Sequence, residues 1–177
     1  MRPTAWTAFG DVTPVGDPQR GLSVRAPEND YAQLRGVWVD ARFCNATIDL
    51  DARLDAPTQD SPGFGFAVGL RATVRDGLPY GWSLQLEWDP ALPGFAHRPA
   101  MLPDEARTGG NSRPGGPMPG SWHHLRLQVR GTTVTVAMDG TELGGSPYTV
   151  DAAACGDLLL RVWGTTVQFR DVAIRPL

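Results

Sequence analysis

Lysine is missing from this 177-residue sequence: all 16 of its Lys+Arg residues are arginines, set against 19 Asp+Glu. That absence excludes Schiff-base chemistry, a phosphate-gripping P-loop lysine and a lysine general base, and leaves 3 His, 2 Cys and the carboxylates for proton transfer. The net charge of −3 excludes the clustered positive face that duplex binding needs, so no nucleic-acid partner is expected. No apolar run reaches the roughly 18 residues of a membrane span. The start, Met1-Arg2-Pro3-Thr4-Ala5-Trp6, has no apolar segment of the signal-peptide kind. A cytoplasmic protein without a membrane partner is therefore expected, or a secreted one if the chain is a domain excised from a larger enzyme. Cys44 and Cys155 read as free thiols at this density, although they could pair if their strands adjoin. No Gly-x-Gly-x-x-Gly follows a strand, and Cys-x-x-Cys and Gly-x-Ser-x-Gly do not occur. Nucleotide binding, structural zinc and serine-hydrolase chemistry lapse with them, and no cofactor is expected.

Helical periodicity is also lacking. What the sequence has instead is alternation with period two, the mark of half-buried strands. Ala46, Ile48, Leu50, Ala52 and Leu54 share one face, opposite Thr47, Asp49, Asp51 and Arg53. Phe64, Phe66, Val68, Leu70, Ala72 and Val74 form a second apolar row, opposite Gly65, Ala67, Gly69, Arg71 and Thr73. Tyr80, Trp82, Leu84, Leu86 and Trp88 form a third, opposite Gly81, Ser83, Gln85 and Glu87. Two further strands, 122–129 and 133–138, meet at Arg130-Gly131, and Asp139-Gly140 predicts a type I′ hairpin turn. In the tail the inward register jumps from Phe169 to Val172, which predicts a β-bulge near Arg170-Asp171. Weaker strands fit 6–12, 22–25 and 31–39, for about ten in all. Such strands are satisfied by an all-β fold, a single domain over residues 1–177 in which two antiparallel sheets pack as a β-sandwich or jelly roll. The Pro- and Gly-dense stretch 89–120 is expected to be a long loop, functional or disordered, carrying Phe95, His97, Arg98 and Met101.

Four segments carry a resemblance: Gly65-Phe66-Ala67-Val68-Gly69-Leu70-Arg71, Tyr80-Gly81-Trp82-Ser83-Leu84-Gln85-Leu86, Gly120-Ser121-Trp122-His123-His124-Leu125 and Val136-Ala137-Met138-Asp139-Gly140. They resemble concanavalin A-like (laminin G-like) jelly rolls. The tail from Gly164 to Leu177 looks like the closing strand of the 3-keto-disaccharide hydrolase domain family within that superfamily. The resemblance implies sugar binding on an open sheet face. It also implies an arginine matching Arg71 and a Glu-x-Gln pair on the next strand, where this chain has Ser83 and Gln85. Ser83 in place of the glutamate leaves the family's proton transfer without its carboxylate.

The polar face of Arg71, Ser83, Gln85 and Glu87 is accordingly the candidate site, joined by Asp49 and Asp51, with Arg53 beside them. Trp88 and His97 are added as ligand contacts next to the 89–120 stretch. Arg, Gln and Glu offer the planar donors and acceptors that hydroxyl-rich ligands need. The expected ligand is a carbohydrate or similarly hydroxylated small molecule. In the alternative, an enzyme acting on a glycoside or another small substrate, Glu87 serves as general base, Arg71 as electrostatic stabiliser and Gln85 as orienting donor. Arg71 and Glu87 would otherwise form a cross-strand pair. Trp82, Trp88, Trp122 and Trp163 are expected in the core. His123 and His124 must point to opposite faces and cannot chelate one metal. Asp89, Asp104, Glu105 and Asp139 are carboxylates open to calcium but lack an Asp-x-Asp-x-Asp-Gly pattern, so no metal is assigned. The oligomeric state is left open.

Overall fold

The computed structural model describes residues 3, 5–17, 20–26, 34–57, 63–88, 95–104, 111–150 and 155–177. Within them the elements are strands: β1 (Trp6–Phe9), β2 (Thr13–Asp17), β3 (Gly21–Arg25), β4 (Gly36–Phe43), β5 (Ala46–Leu54), β6 (Phe64–Arg75), β7 (Leu78–Trp88) and β8 (Phe95–Leu102). There follow β9 (Arg113–Pro114), β10 (Trp122–Arg130), β11 (Thr133–Met138), β12 (Thr141–Glu142), β13 (Tyr148–Thr149), β14 (Gly156–Trp163) and β15 (Thr166–Pro176). The first sheet runs β1-β4-β14-β6-β7-β8-β9. The second runs β12-β11-β10-β5-β15-β3-β2, with β13 added beside β11. All pairings are antiparallel.

This is the expected two-sheet sandwich, for the expected reason. Alternate residues of each long strand form one apolar core in which Ile48, Leu50, Phe66, Val68, Leu84, Leu86, Leu127, Leu160, Val167 and Phe169 are fully buried. The turn residues behave as their types demand. Asp139 and Gly140 both have positive φ, 52° and 79°, as a type I′ turn requires. The tail bulge is also present: the β15 register shifts between Arg170 and Ala173, around Asp171 at φ 53°.

Three expectations need correction. Stretch 89–120 is not loop throughout, because β8 pairs along its whole length with β7 and carries Pro99 in the ladder. Among the described residues strand β8 has only the two-residue β9 on its far side, paired at Ala96 and His97, so Pro99 there withholds no donor from that ladder. The apolar row on β6 does not continue past Leu70. A second bulge, between Leu70 and Thr73 with Arg71 at φ 52°, reverses the alternation. Ala72 then packs outside the core with Leu102 and Leu159, and Val74 is 60% exposed. Finally, Cys44 and Cys155 are not free thiols but form a disulfide, because the β4–β5 turn lies beside the start of β14, where Gly156 pairs with Phe43.

Candidate ligand-binding face

Strand register builds the outward face of the first sheet in rows. One row holds Gly36 (β4), Arg161 (β14), Ala67 (β6), Gln85 (β7) and Arg98 (β8). On one side of it lie Trp163, Gly65, Glu87 and Ala96, and on the other Trp38, Leu159, Gly69, Ser83 and Ala100. The outward residues of β6 are thus Gly65, Ala67 and Gly69, a strip of small side chains. Leu159, Arg161 and Trp163 stand along one flank of it, and Ser83, Gln85 and Glu87 along the other. A side chain at Gly65 would come within 2.4 Å of the Leu86 carbonyl, so the strip is low because the backbones beside it are close.

The polar side chains of this face are interlocked. The Arg98 guanidinium donates to Gln85 Oε1 and lies 2.9 Å from Glu87 Oε1. The Arg161 guanidinium lies 5.1 Å from the centre of the Trp163 ring, within cation–π range. Ser83 and Gln85 are wholly buried, whereas the side chains of Glu87 and Arg98 keep 12% and 20% exposure. The face therefore combines a carboxylate, an amide, a hydroxyl, two guanidinia and an indole around a narrow strip of backbone. Arg161 and Trp163 are also buried, at 1% and 2% exposure, so Glu87 and Arg98 are the members of the set that can accept from and donate to neighbouring hydroxyls.

Ser83, Gln85 and Glu87 thus stand together as expected, but the other candidate residues stand elsewhere. Arg71 is turned away by its bulge. Its Nε donates to the Cys44 carbonyl, one terminal nitrogen donates to the Gly131 carbonyl at 2.8 Å, and the other donates to Asn45 Oδ1 at 3.0 Å. Asn45 Oδ1 also accepts from Gly131 N–H. Arg71 is therefore a latch across the β4–β5 and β10–β11 turns at one end of the sandwich, and burial pulls its pKa below the ordinary value. The cation beside Glu87 is Arg98.

Asp49 and Asp51 project from the second sheet, on the opposite side of the molecule from Gln85. Asp49 accepts from Arg126 Nε at 2.7 Å and also meets Arg175 and His124, while Asp51 meets His124 Nδ1 at 2.8 Å and Arg170. Arg53 shares that face, 5.5 Å from the Trp122 ring, on which Arg170 also stacks at 4.0 Å. Trp122 consequently belongs to an outer face and not to the core, whereas Trp163 is buried as expected, at 2% exposure, on the outer side of the first sheet. Trp88 points inward, stacked on Phe64 and packed at the core's margin, so it does not share a face with Gln85. His97 is wholly buried at the sandwich edge, opposite Leu86, with its two ring nitrogens on the Gly115 and Gly144 carbonyls. It joins the two sheets instead of facing a ligand.

His123 and His124 diverge as expected. Nδ1 of His123 meets Asp139, and His124 faces Asp51. Burial tends to raise the Asp139 pKa, but the His123 hydrogen bond, the His124 backbone N–H and both imidazole charges outweigh it, and the net shift is downward. Among the described residues no group of three His, Cys, Asp or Glu could hold a metal. Asp89 and Glu105 lie outside those residues.

No family model matches the chain, and no curated protein sequence matches it either. Solved structures do share its fold. The CBM66 carbohydrate-binding module from Bacillus subtilis superposes with a TM-score of 0.69 over 98% of this chain and 96% of its own, at 16% identity. A Bacillus subtilis protein of unknown function with a galectin-like fold gives 0.63 over 96% and 88%, at 12% identity. The exoplasmic/lumenal domain of VIP36, in its Ca2+/Man3GlcNAc-bound form, gives 0.57 over 93% and 82%, at 10% identity. The fold is a concanavalin A-like jelly roll.

Proposed function

We propose that the outer face of the first sheet binds a carbohydrate or a similarly polyhydroxylated ligand, without catalysing its cleavage. The observation that carries this reading is the accessible Glu87–Arg98 pair of the cluster beside the small-residue strip of β6, backed by buried Gln85, Arg161 and Trp163. The paired guanidinium and carboxylate of Arg98 and Glu87, the accessible members of the cluster, suit adjacent hydroxyls, and buried Gln85 holds Arg98 in place behind them. The shared fold with a carbohydrate-binding module and with a domain solved with Man3GlcNAc supports the same reading. Binding is preferred to hydrolysis because glycoside cleavage uses two carboxylates across the scissile bond. Among the described residues the cluster holds only Glu87, which is already paired with Arg98.

The test is isothermal titration against a panel of neutral and acidic oligosaccharides, repeated with Glu87→Gln and Gln85→Leu. Loss of a hydrogen bond to a charged group lowers affinity about 10- to 100-fold, so Glu87→Gln should fall in that range. Unchanged affinity in both variants would remove this face as the site. We also propose that the protein works in an oxidising compartment. The Cys44–Cys155 bridge supports this, because such bonds persist there and are reduced in the cytosol. Thiol trapping in cells should find both cysteines blocked, and two reactive thiols would refute it.

A further inference from the structure

Sandwich cores are normally packed to the density of organic crystals. This one is not filled at the end where the Arg71 latch sits. A cavity of about 310 Å³ opens there between the sheets, at the lower end of the range for small-molecule pockets. Its apolar walls are Leu70, Trp82 and Met101 from the first sheet and Val129, Val134 and Val150 from the second side. The β6 bulge lies at this end, and Arg71, which it turns out of the strand's regular alternation, lines the cavity. Half-buried Met101, an adaptable thioether, also lines the space.

The polar lining has one sign of charge. Arg71, Arg75, Thr73 and Tyr80 contribute to it, and no carboxylate does. Arg71 has a donor from each guanidinium nitrogen committed to the latch. Arg75 is exposed, is held 5.4 Å over the Tyr80 ring, and has no carboxylate paired with it among the described residues; Asp76 is the acid next to it in sequence. From this geometry we propose a second ligand site, distinct from the sugar-binding face. It takes a small amphipathic carboxylate whose hydrocarbon part lies among Trp82, Val129 and Val134 and whose carboxylate meets Arg75.

Octanoate and 1-octanol, titrated into the intact disulfide-bonded protein by calorimetry, are the probes. Octanoate should bind saturably with one site per chain, about 2- to 5-fold more tightly than octanol, a difference that shrinks with added salt. Arg75→Ala should reduce octanoate to the octanol level and leave octanol unchanged. Val134→Trp, which fills the cavity, should abolish both. Should that variant fail to fold, Met101→Trp fills the space from the other sheet. Absence of saturable binding, or binding that survives the filled cavity, overturns the site. Equal affinity for the acid and the alcohol in wild type overturns the carboxylate assignment. Oligosaccharide binding is unaffected by either ligand in this scheme, so the two sites can fail separately.

Discussion

Removing the disulfide should be the most damaging small change this protein can suffer. The bridge joins Cys44 to Cys155 across 111 residues of sequence. The loop-closure entropy withheld from the unfolded chain by a link of that span is about 16 cal/mol/K, or about 4.8 kcal/mol at 25 °C. For a domain of this size each kcal/mol moves the melting temperature about 2 to 4 °C, so Cys44→Ala/Cys155→Ala should melt about 10 to 20 °C lower. The assay is urea unfolding followed by tryptophan fluorescence, with thiols counted before and after dithiothreitol. The reduced protein and the double variant should share one midpoint, well below that of the oxidised protein. Their m value should be higher, because the uncrosslinked chain exposes more surface when it unfolds. If two thiols titrate after reduction and the midpoint has not moved, the bridge does not constrain the unfolded chain and the reasoning fails.

Arg71→Met should destabilise by about 2 to 4 kcal/mol, since hydrogen bonds from a charged donor each contribute about 1.5 to 3 and some of the abandoned carbonyls regain water. Urea midpoints measure this, and oligosaccharide affinity should be unchanged, because the latch lies off the Gln85 face; a lost affinity would return Arg71 to the site. Asp139 titrates below its ordinary value in the folded state, so its stabilisation is present in full above the unfolded pKa of about 3.8 and is lost as pH falls through the folded pKa. Asp139→Asn should therefore be less stable than wild type at neutral pH, with the gap closing below about pH 4. A gap independent of pH would show that the carboxylate's charge is not what His123 and the His124 N–H hold.

Strand β5 was legible because each of its faces is chemically pure: alternate residues are aliphatic, and those between are Thr, Asp, Asp and Arg. The Arg170-Asp171 bulge was legible for a related reason, since Phe169 and Val172 are both bulky apolar residues three apart and only a shift of register buries both. Strand β6 offers no such contrast. Gly65, Ala67 and Gly69 on its outer face are as compatible with burial as the row opposite, so nothing in the sequence marks where the phase breaks at Arg71. Strand β8 was hidden differently, by Pro99 and the flanking glycines, residues that deny a central strand but are tolerated where one neighbour is only two residues long.

Strand β8 and a third strand, β14, explain the partial reading of the site. Ser83, Gln85 and Glu87 lie on one unbroken strand, so their common face follows from alternation alone. Their cationic partners come from β8 and β14, one concealed in apparent loop and the other distant in sequence. Arg161 is flanked by Leu158 to Leu160 and Val162-Trp163, an apolar setting in which an arginine reads as an interruption. Its alternation with Leu160 and Val162, both core residues, in fact places it outward beside Ala67. A lone charged residue alternating within an apolar strand therefore points away from the core, even where, as at Arg161 with 1% exposure, that outer side is itself buried. Arg126 and Arg175, which alternate on the polar outer face of the second sheet, instead pair with Asp49.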